Sequence, residues 1–256
     1  IDDAKVYDVA KKTPLDFQSL LSTRLNNKIY LKREDLQPVF SFKIRGAYNK
    51  MVHLDENTRK KGVIAASAGN HAQGVAMAAK TLGCNATIVM PKTTPTIKTD
   101  AVRKFGAEVI LHGISFFESL DLAHEIEKEK GLTFIHPFDD PYVIGGQGTI
   151  AKEILDDFND PIHAIFVCVG GGGLISGIAT YVKAVRPDIK VIGVEAKDSE
   201  AMTEALKQNK RISLDQVGLF AEGAAVKQIG INNFAIASEC VDEMIVVDND
   251  EICAAI

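Results

Sequence analysis

The sequence predicts an α/β protein built on open, twisted, parallel-rich sheets with flanking helices, and two observations carry that expectation. Between residues 62 and 137, short apolar runs alternate with longer helix-like stretches. Connections of that kind lead each strand to a parallel neighbour through a right-handed crossover. The alternation resumes after Pro137, where the apolar run 164–169 meets four consecutive glycines and then another helical pattern.

The elements follow in order. Thr13-Pro14 reads as an N-cap followed by proline at the first helical position, opening a helix to about Leu21. Ile29-Tyr30-Leu31 is a short strand. Ser41 is expected to cap a helix ending near Leu54, which puts Lys43 in its first turn. Strands are then expected at 63–66, 86–90, 109–111 and 133–135, separated by helices over 72–82, 96–105 and 116–129. In the second block, strands fall at 164–169, 191–194 and 244–247. Helices fall at 148–158, 174–185, 199–208 and 231–237, with another starting at Asp250. Phe220-Ala221-Glu222-Gly223 reads as a structured loop.

Composition narrows the function classes. With 256 residues the chain can bury a full core, as one large α/β domain or two smaller ones. The net charge is −5 and the basic residues form no long block, which argues against nucleic acid and against a polybasic membrane contact. Cys84, Cys168, Cys240 and Cys253 have neither metal-finger nor disulfide-scaffold spacing. Cys168, inside the apolar run, is expected to be a buried thiol. The sequence has no secretory apolar segment and no run long enough to span a bilayer, so a cytoplasmic location is expected. It starts at Ile1 without Met and stops inside a helix-like segment, so both ends read as fragment edges.

Three stretches could carry chemistry. Lys43, in Ser41-Phe42-Lys43-Ile44-Arg45-Gly46, is either a surface lysine covering apolar area or an amine held beside a carbonyl compound. In the second case the helix dipole and partial burial lower its pKa, so that it forms a Schiff base and later carries protons. Gly170, Gly171, Gly172 and Gly173 sit between a buried strand and a helix starting near Leu174. Backbone N–H groups there could converge on a monophosphate or another small anion, or the glycines could simply make a tight turn. Ser67-Ala68-Gly69-Asn70-His71 lies at the same kind of junction, and its N–H groups could grip a carboxylate. Glu195 with Asp198 and Glu200 could hold a hard cation, although a solvated acidic loop is the plainer reading. His53, His112, His124, His136 and His163 show no metal-ligand spacing.

With Ala72-Gln73-Gly74 and Leu174 added, these three motifs in this order resemble those of the fold-type II pyridoxal-phosphate enzymes (tryptophan synthase β-like). Within that group they are most similar to the catalytic domains of the threonine ammonia-lyases. The similarity includes Val217-Gly218-Leu219-Phe220-Ala221-Glu222-Gly223 and Val247-Asp248-Asn249-Asp250. The resemblance implies a large cofactor-binding domain from residues 1–61 and 138–256, with a small domain, 62–137, inserted in it. It implies pyridoxal 5'-phosphate linked to Lys43, flanked by Phe42, with Asn70 on the phenolic oxygen and the phosphate on Gly170, Gly171, Gly172, Gly173 and Leu174. Ser67, Ala68, Gly69, Asn70 and His71 would hold the substrate carboxylate, and Ser67 would also help move a proton. No residue of this sequence is assigned to the ring nitrogen.

The implied reaction converts threonine to 2-oxobutanoate and ammonia, and serine to pyruvate, at the committed step toward isoleucine. The implied assembly is a homodimer or homotetramer, and isoleucine-inhibited members carry a further regulatory domain outside this stretch. The racemase-like members bind a divalent cation. Glu195 matches one of its ligands, but Ala201 stands where a second carboxylate belongs, so no metal is expected. The alternatives are a catabolic serine/threonine dehydratase or serine racemase-like enzyme, and, from another class, a non-catalytic amino-acid sensor.

Overall fold

A computed structural model describes residues 1–218 and 220–256. Leu219 lies outside the described residues, and with it one position of the 217–223 motif. The chain opens with β1 (Leu15–Phe17), α1 (Ser19–Leu25) and β2 (Tyr30–Lys32), in which β1 and β2 form an antiparallel ribbon. This corrects the expected helix at Thr13-Pro14. Thr13 is buried, its hydroxyl donates to Glu34 Oε1 at 2.5 Å, and the Pro14 carbonyl accepts from Arg33 N at 3.1 Å. Those bonds draw the segment into an extended pairing before any helical turn closes.

Two helices follow, α2 (Lys43–Val52) and α3 (Glu56–Lys61). The first sheet contains β3 (Val63–Ala66), β4 (Ala86–Met90), β5 (Glu108–Leu111) and β6 (Thr133–Phe134), in the spatial order β5-β4-β3-β6 and parallel throughout. Its connections are α4 (Asn70–Leu82), α5 (Thr96–Arg103) and α6 (Phe116–Lys130). Both β3 and β4 are buried on both faces, which suits the branched and small residues of Val63–Ala66 and Ala86–Met90. Ser115 and Glu118 form a reciprocal capping box at the start of α6.

The second sheet contains β7 (Ala164–Cys168), β8 (Lys190–Ala196) and β9 (Glu243–Val247), parallel and in that order. Packed with it are α7 (Pro141–Asp157), α8 (Gly173–Val185), α9 (Ala201–Lys207) and α10 (Ile231–Cys240), with α11 (Asn249–Ala255) at the end. The expected helix at 148–158 starts earlier than anticipated, because Asp140 accepts from Tyr142 N and Val143 N and Pro141 occupies the first turn. The expected burial of Cys168 fails: Cys168 is exposed and Phe166 is 62% exposed. Phe166 and Cys168 alternate onto one face of β7 that no other layer covers, while Val167 points the other way into the core.

The lysine-bearing α2 packs against α4 on one side and α7 on the other. It thus lies where the cores of the two sheets meet. No helix among the described residues is long and apolar enough to cross a membrane.

Candidate active site

Lys43 is the first residue of α2. Ser41 does not cap this helix. Phe42 occupies the cap position with helical dihedrals, and the Ser41 hydroxyl is buried without a partner. The turn before it is strained, with Phe40 at φ 57°. It is anchored by Gln37, whose amide accepts from Lys11 N at 2.9 Å and donates to Lys11 O at 2.8 Å. Two residues further along α2, Arg45 is fully buried between Glu34 and Glu153, at 2.8 Å and 2.6 Å, so the helix is clamped beside its reactive end.

The Lys43 side chain is partly buried and its amine is tied to the backbone. Its Nζ donates to the Pro137 carbonyl at 2.8 Å and sits 5.4 Å from the Phe42 ring centroid. Burial draws its pKa down from the ordinary lysine value to about 8, against a small opposing influence from Cys168. Gly74 of α4 permits this placement, since a methyl group there would lie 3.2 Å from the Lys43 carbonyl oxygen and from Ile44 N.

His71, in the first turn of α4, is buried and hydrogen-bonded through Nε2 to the Ile135 carbonyl at 2.8 Å. A carbonyl only accepts, so Nε2 carries the proton and the buried, unpartnered Nδ1 is an acceptor. Burial, reinforced by the nearby Lys43 ammonium, lowers the His71 pKa to about 3, so the ring is neutral. The adjoining loop is tightened by Ser67 Oγ, which accepts from Gly69 N at 3.2 Å. Ala68 and Gly69 are partly buried, and Asn70 opens α4 on the exposed side.

The glycine turn leads from β7 into α8. Gly172 has φ 96°, a conformation that glycine adopts without strain, and a methyl group there would lie 2.7 Å from Met202 Cε. Side chains at Gly170 or Gly173 would meet Ala224 O at 3.0 Å or Phe138 Cβ at 2.9 Å. Among the described residues, the N–H groups of Gly170, Gly171 and Gly172 find no acceptor, and the first turn of α8 adds further free N–H groups beside Leu174. The turn is therefore bare, rigid and donor-rich. Cys168 at the end of β7 influences the Lys43 amine, and Phe138, next to Pro137, packs on Gly171 and Gly173, so the amine and the turn share one neighbourhood.

Glu195 belongs to a different task. It is buried, and it accepts from Met202 N, Thr203 N and the Thr203 hydroxyl at 2.7–2.8 Å, capping α9 with its carboxylate. Ala201, at the start of that helix, is buried and supplies no ligand.

Residues 6–256 match the family described as pyridoxal-phosphate dependent enzyme. The chain belongs to that family. It is 58% identical to the biosynthetic L-threonine dehydratase of Burkholderia multivorans over 256 residues, which cover 99% of this chain and 50% of the relative. It is 56% identical to the chloroplastic biosynthetic threonine dehydratase of Arabidopsis thaliana, over 98% of this chain and 43% of that one. The chain thus spans about half the length of the curated relatives it matches. Among solved structures, the processed form of threonine deaminase isoform 2 from Solanum lycopersicum superposes with a TM-score of 0.97 at 52% identity. That match covers 99% of this chain and 74% of the other. Maize serine racemase superposes at 0.94 with 33% identity, over 98% and 75%.

The cofactor of the family fits the residues present. The free N–H groups of the glycine turn suit a phosphate, and the partly buried amine of Lys43 suits an aldehyde. Three features escaped the sequence reading: the Ile135–Pro137 carbonyls that receive His71 and Lys43, the Phe138 floor of the glycine turn, and the buried Arg45 pairing. The residue pair Asp140-Pro141, a helix start, was the one available signal that this connector ends in a fixed position.

Proposed function

We propose that this protein dehydrates and deaminates L-threonine to 2-oxobutanoate and ammonia, the committed step toward isoleucine, and treats serine in the same way to give pyruvate. The observation that carries the reading is the Lys43 amine, partly buried, held by a neutral carbonyl at 2.8 Å, with Phe138 beside that carbonyl packed on a donor-rich turn. Support comes from relatives and a solved structure that bear the threonine dehydratase or threonine deaminase name.

When bound, pyridoxal phosphate supplies an electron-accepting ring that makes the Cα–H of an attached amino acid acidic. The rest falls to the chain. The N–H groups of Gly170, Gly171, Gly172, Gly173 and Leu174 would hold the phosphate at the positive end of α8. Phe42 flanks Lys43, and Asn70 would take the phenolic oxygen. The Ser67–Ala68–Gly69–Asn70–His71 loop, at the N-terminal end of α4, orients the substrate carboxylate. With a pKa near 8, Lys43 has an available lone pair close to neutral pH and removes the Cα proton, while the Pro137 carbonyl fixes the direction of Nζ. The Ser67 hydroxyl, already in the loop, assists proton movement.

We read 62–137 as a domain inserted between 1–61 and 138–256, since the four-stranded sheet draws all its strands from that stretch. A homodimer or homotetramer is the expected assembly, and the exposed Leu20 and Phe40 offer apolar surface for it. A racemase reading finds less support, because the carboxylate of Glu195 is spent on α9. The test is a 2-oxo-acid assay with threonine and serine beside a visible absorbance spectrum. Unsubstituted protein should form 2-oxobutanoate and carry the lysine-bound cofactor band, and Lys43→Ala should lose both. A cofactor band with no 2-oxo acid from either substrate would refute the reaction.

A further inference from the structure

The connector between β6 and α7 touches each part of the site. Ile135 O receives His71, Pro137 O receives Lys43, and Phe138 packs on Gly171 and Gly173. The Asp139 carboxylate accepts from Ile231 N, Asn232 N and Asn232 Nδ2 at 2.8–3.0 Å, at the start of α10. Neither a helix nor a strand holds this stretch. What holds it is a side chain: His136 Nδ1 lies 2.7 Å from Asp139 N and 3.2 Å from Phe138 N. Both partners are donors, so Nδ1 is an unprotonated acceptor and the ring proton is on Nε2. The ring is gripped edge-on by Phe138, with centroids 4.7 Å apart.

We propose that His136 is a positioning residue for the Lys43 amine: its unprotonated Nδ1 gathers the Phe138 and Asp139 N–H groups into one turn, which aims the Pro137 carbonyl at Lys43 Nζ and Phe138 at the glycine turn. The proposal rests on Lys43 being the cofactor lysine. It makes the site sensitive to acid, because a proton on Nδ1 would face two N–H donors and open the turn. The groups bearing on His136 act in both directions. Asp139 and Asp140 favour protonation, although Asp139 is committed to α10 and Asp140 to Lys50 at 2.7 Å. Burial is the largest influence, and together with Lys43 and His124 it outweighs them, keeping the ring neutral to below the ordinary imidazole range. Phe134 and Phe138 contribute no charge.

His136→Asn keeps a side-chain acceptor for the turn but does not titrate, whereas His136→Leu has no acceptor. Two readouts are taken as the pH is lowered from neutral: the lysine-bound cofactor band of the holoenzyme, and amide hydrogen exchange at Phe138 and Asp139 in protein stripped of cofactor. In unsubstituted protein, band and protection should fall together below the ordinary imidazole pKa of about 6.5. His136→Asn should hold both through that range. His136→Leu should lack protection at every pH and lose cofactor roughly tenfold faster, the factor for one or two released backbone hydrogen bonds. An acid loss that persists unchanged in His136→Asn, or full protection in His136→Leu, overturns the proposal. If His136→Leu does not fold, the His136→Asn titration still decides. Neither readout uses an amino-acid substrate, so failure here leaves the threonine reading standing. The exchange measurement also decides the matter if that reading fails.

Discussion

Replacing Arg45 with methionine should destabilise the protein by about 3–5 kcal/mol, the range for removing one partner of a buried ion pair. Arg45 is fully buried. Its guanidinium donates to Glu34 twice at 2.8 Å, to Glu153 at 2.6 and 3.0 Å, to Thr149 at 3.0 Å and to the Lys11 carbonyl at 3.1 Å. Without it, Glu153 keeps one cation, Lys32 at 2.6 Å, and the nearly buried Glu34 keeps none among the described residues. Burial pushes the Glu153 carboxyl up, but hydrogen bonds and charge from Arg45 and Lys32 hold it below the usual glutamate range. A carboxylate whose folded pKa is depressed stabilises the fold above its unfolded pKa, and that contribution is lost as pH falls through the folded value. Arg45→Met should therefore flatten the acid side of the stability profile as well as lower it. Urea unfolding should show the loss directly, and thermal unfolding should shift down by about 6–20 °C, taking about 2–4 °C per kcal/mol for a chain of this size. The double variant Arg45→Met, Glu34→Gln should recover part of the loss, because Glu153 keeps Lys32 and no carboxylate is left without a cation. A loss under about 1 kcal/mol for Arg45→Met alone, or no recovery in the double variant, would refute the reasoning.

Gly172→Ala forces a side chain into φ 96° and against Met202, so it should cost about 1–3 kcal/mol and release the cofactor, read as a lost visible band on gel filtration. Gly74→Ala pushes α4 against the Lys43 backbone and should cost a similar amount, about 1–3 kcal/mol, with the same cofactor readout. The rate of threonine turnover should rise with pH up to about 8 and then level off, because the Lys43 amine must be unprotonated to accept the Cα proton. Glu195→Ala strips the cap from α9 and should lower stability by about 1–2 kcal/mol, with added magnesium or chelator making no difference to either protein.

Much of this architecture was legible because β3 and β4 are short apolar runs, one preceded by Gly62 and the other stopped by Pro91, with periodic helices between the strands. The glycine turn was legible because four glycines cost too much backbone entropy to be incidental. The failures share one physical cause, long-range partners. Thr13-Pro14 carries a sound local helix signal, yet Glu34 and the pairing with β2 override it. Ser41 precedes a helix without capping it, because Phe42 is already helical. Cys168 is exposed in spite of its apolar neighbours, since an apolar run does not say which face of its strand another layer covers. His136 carries no spacing signal at all, because its partners are backbone N–H groups two and three residues away.

The helix α2 itself shows why its two cations were bound to differ. Residues two apart on a helix point to different faces, so Lys43 and Arg45 meet different surroundings although they are neighbours in sequence. Arg45 is met by two carboxylates and stays charged for good. Lys43 is met by a backbone carbonyl, a phenyl ring, a neutral imidazole and a thiol, none of which carries the negative charge needed to stabilise an ammonium. The first arrangement fixes the helix, and the second leaves its leading amine free to shed a proton. Placing a carboxylate beside Lys43, as in His71→Glu, should therefore raise the lysine pKa and move the alkaline rise in turnover to higher pH while the Arg45 clamp holds the helix in place. A rise that stays near 8 in that variant would show that burial alone, and not the neutrality of the lining, sets the amine.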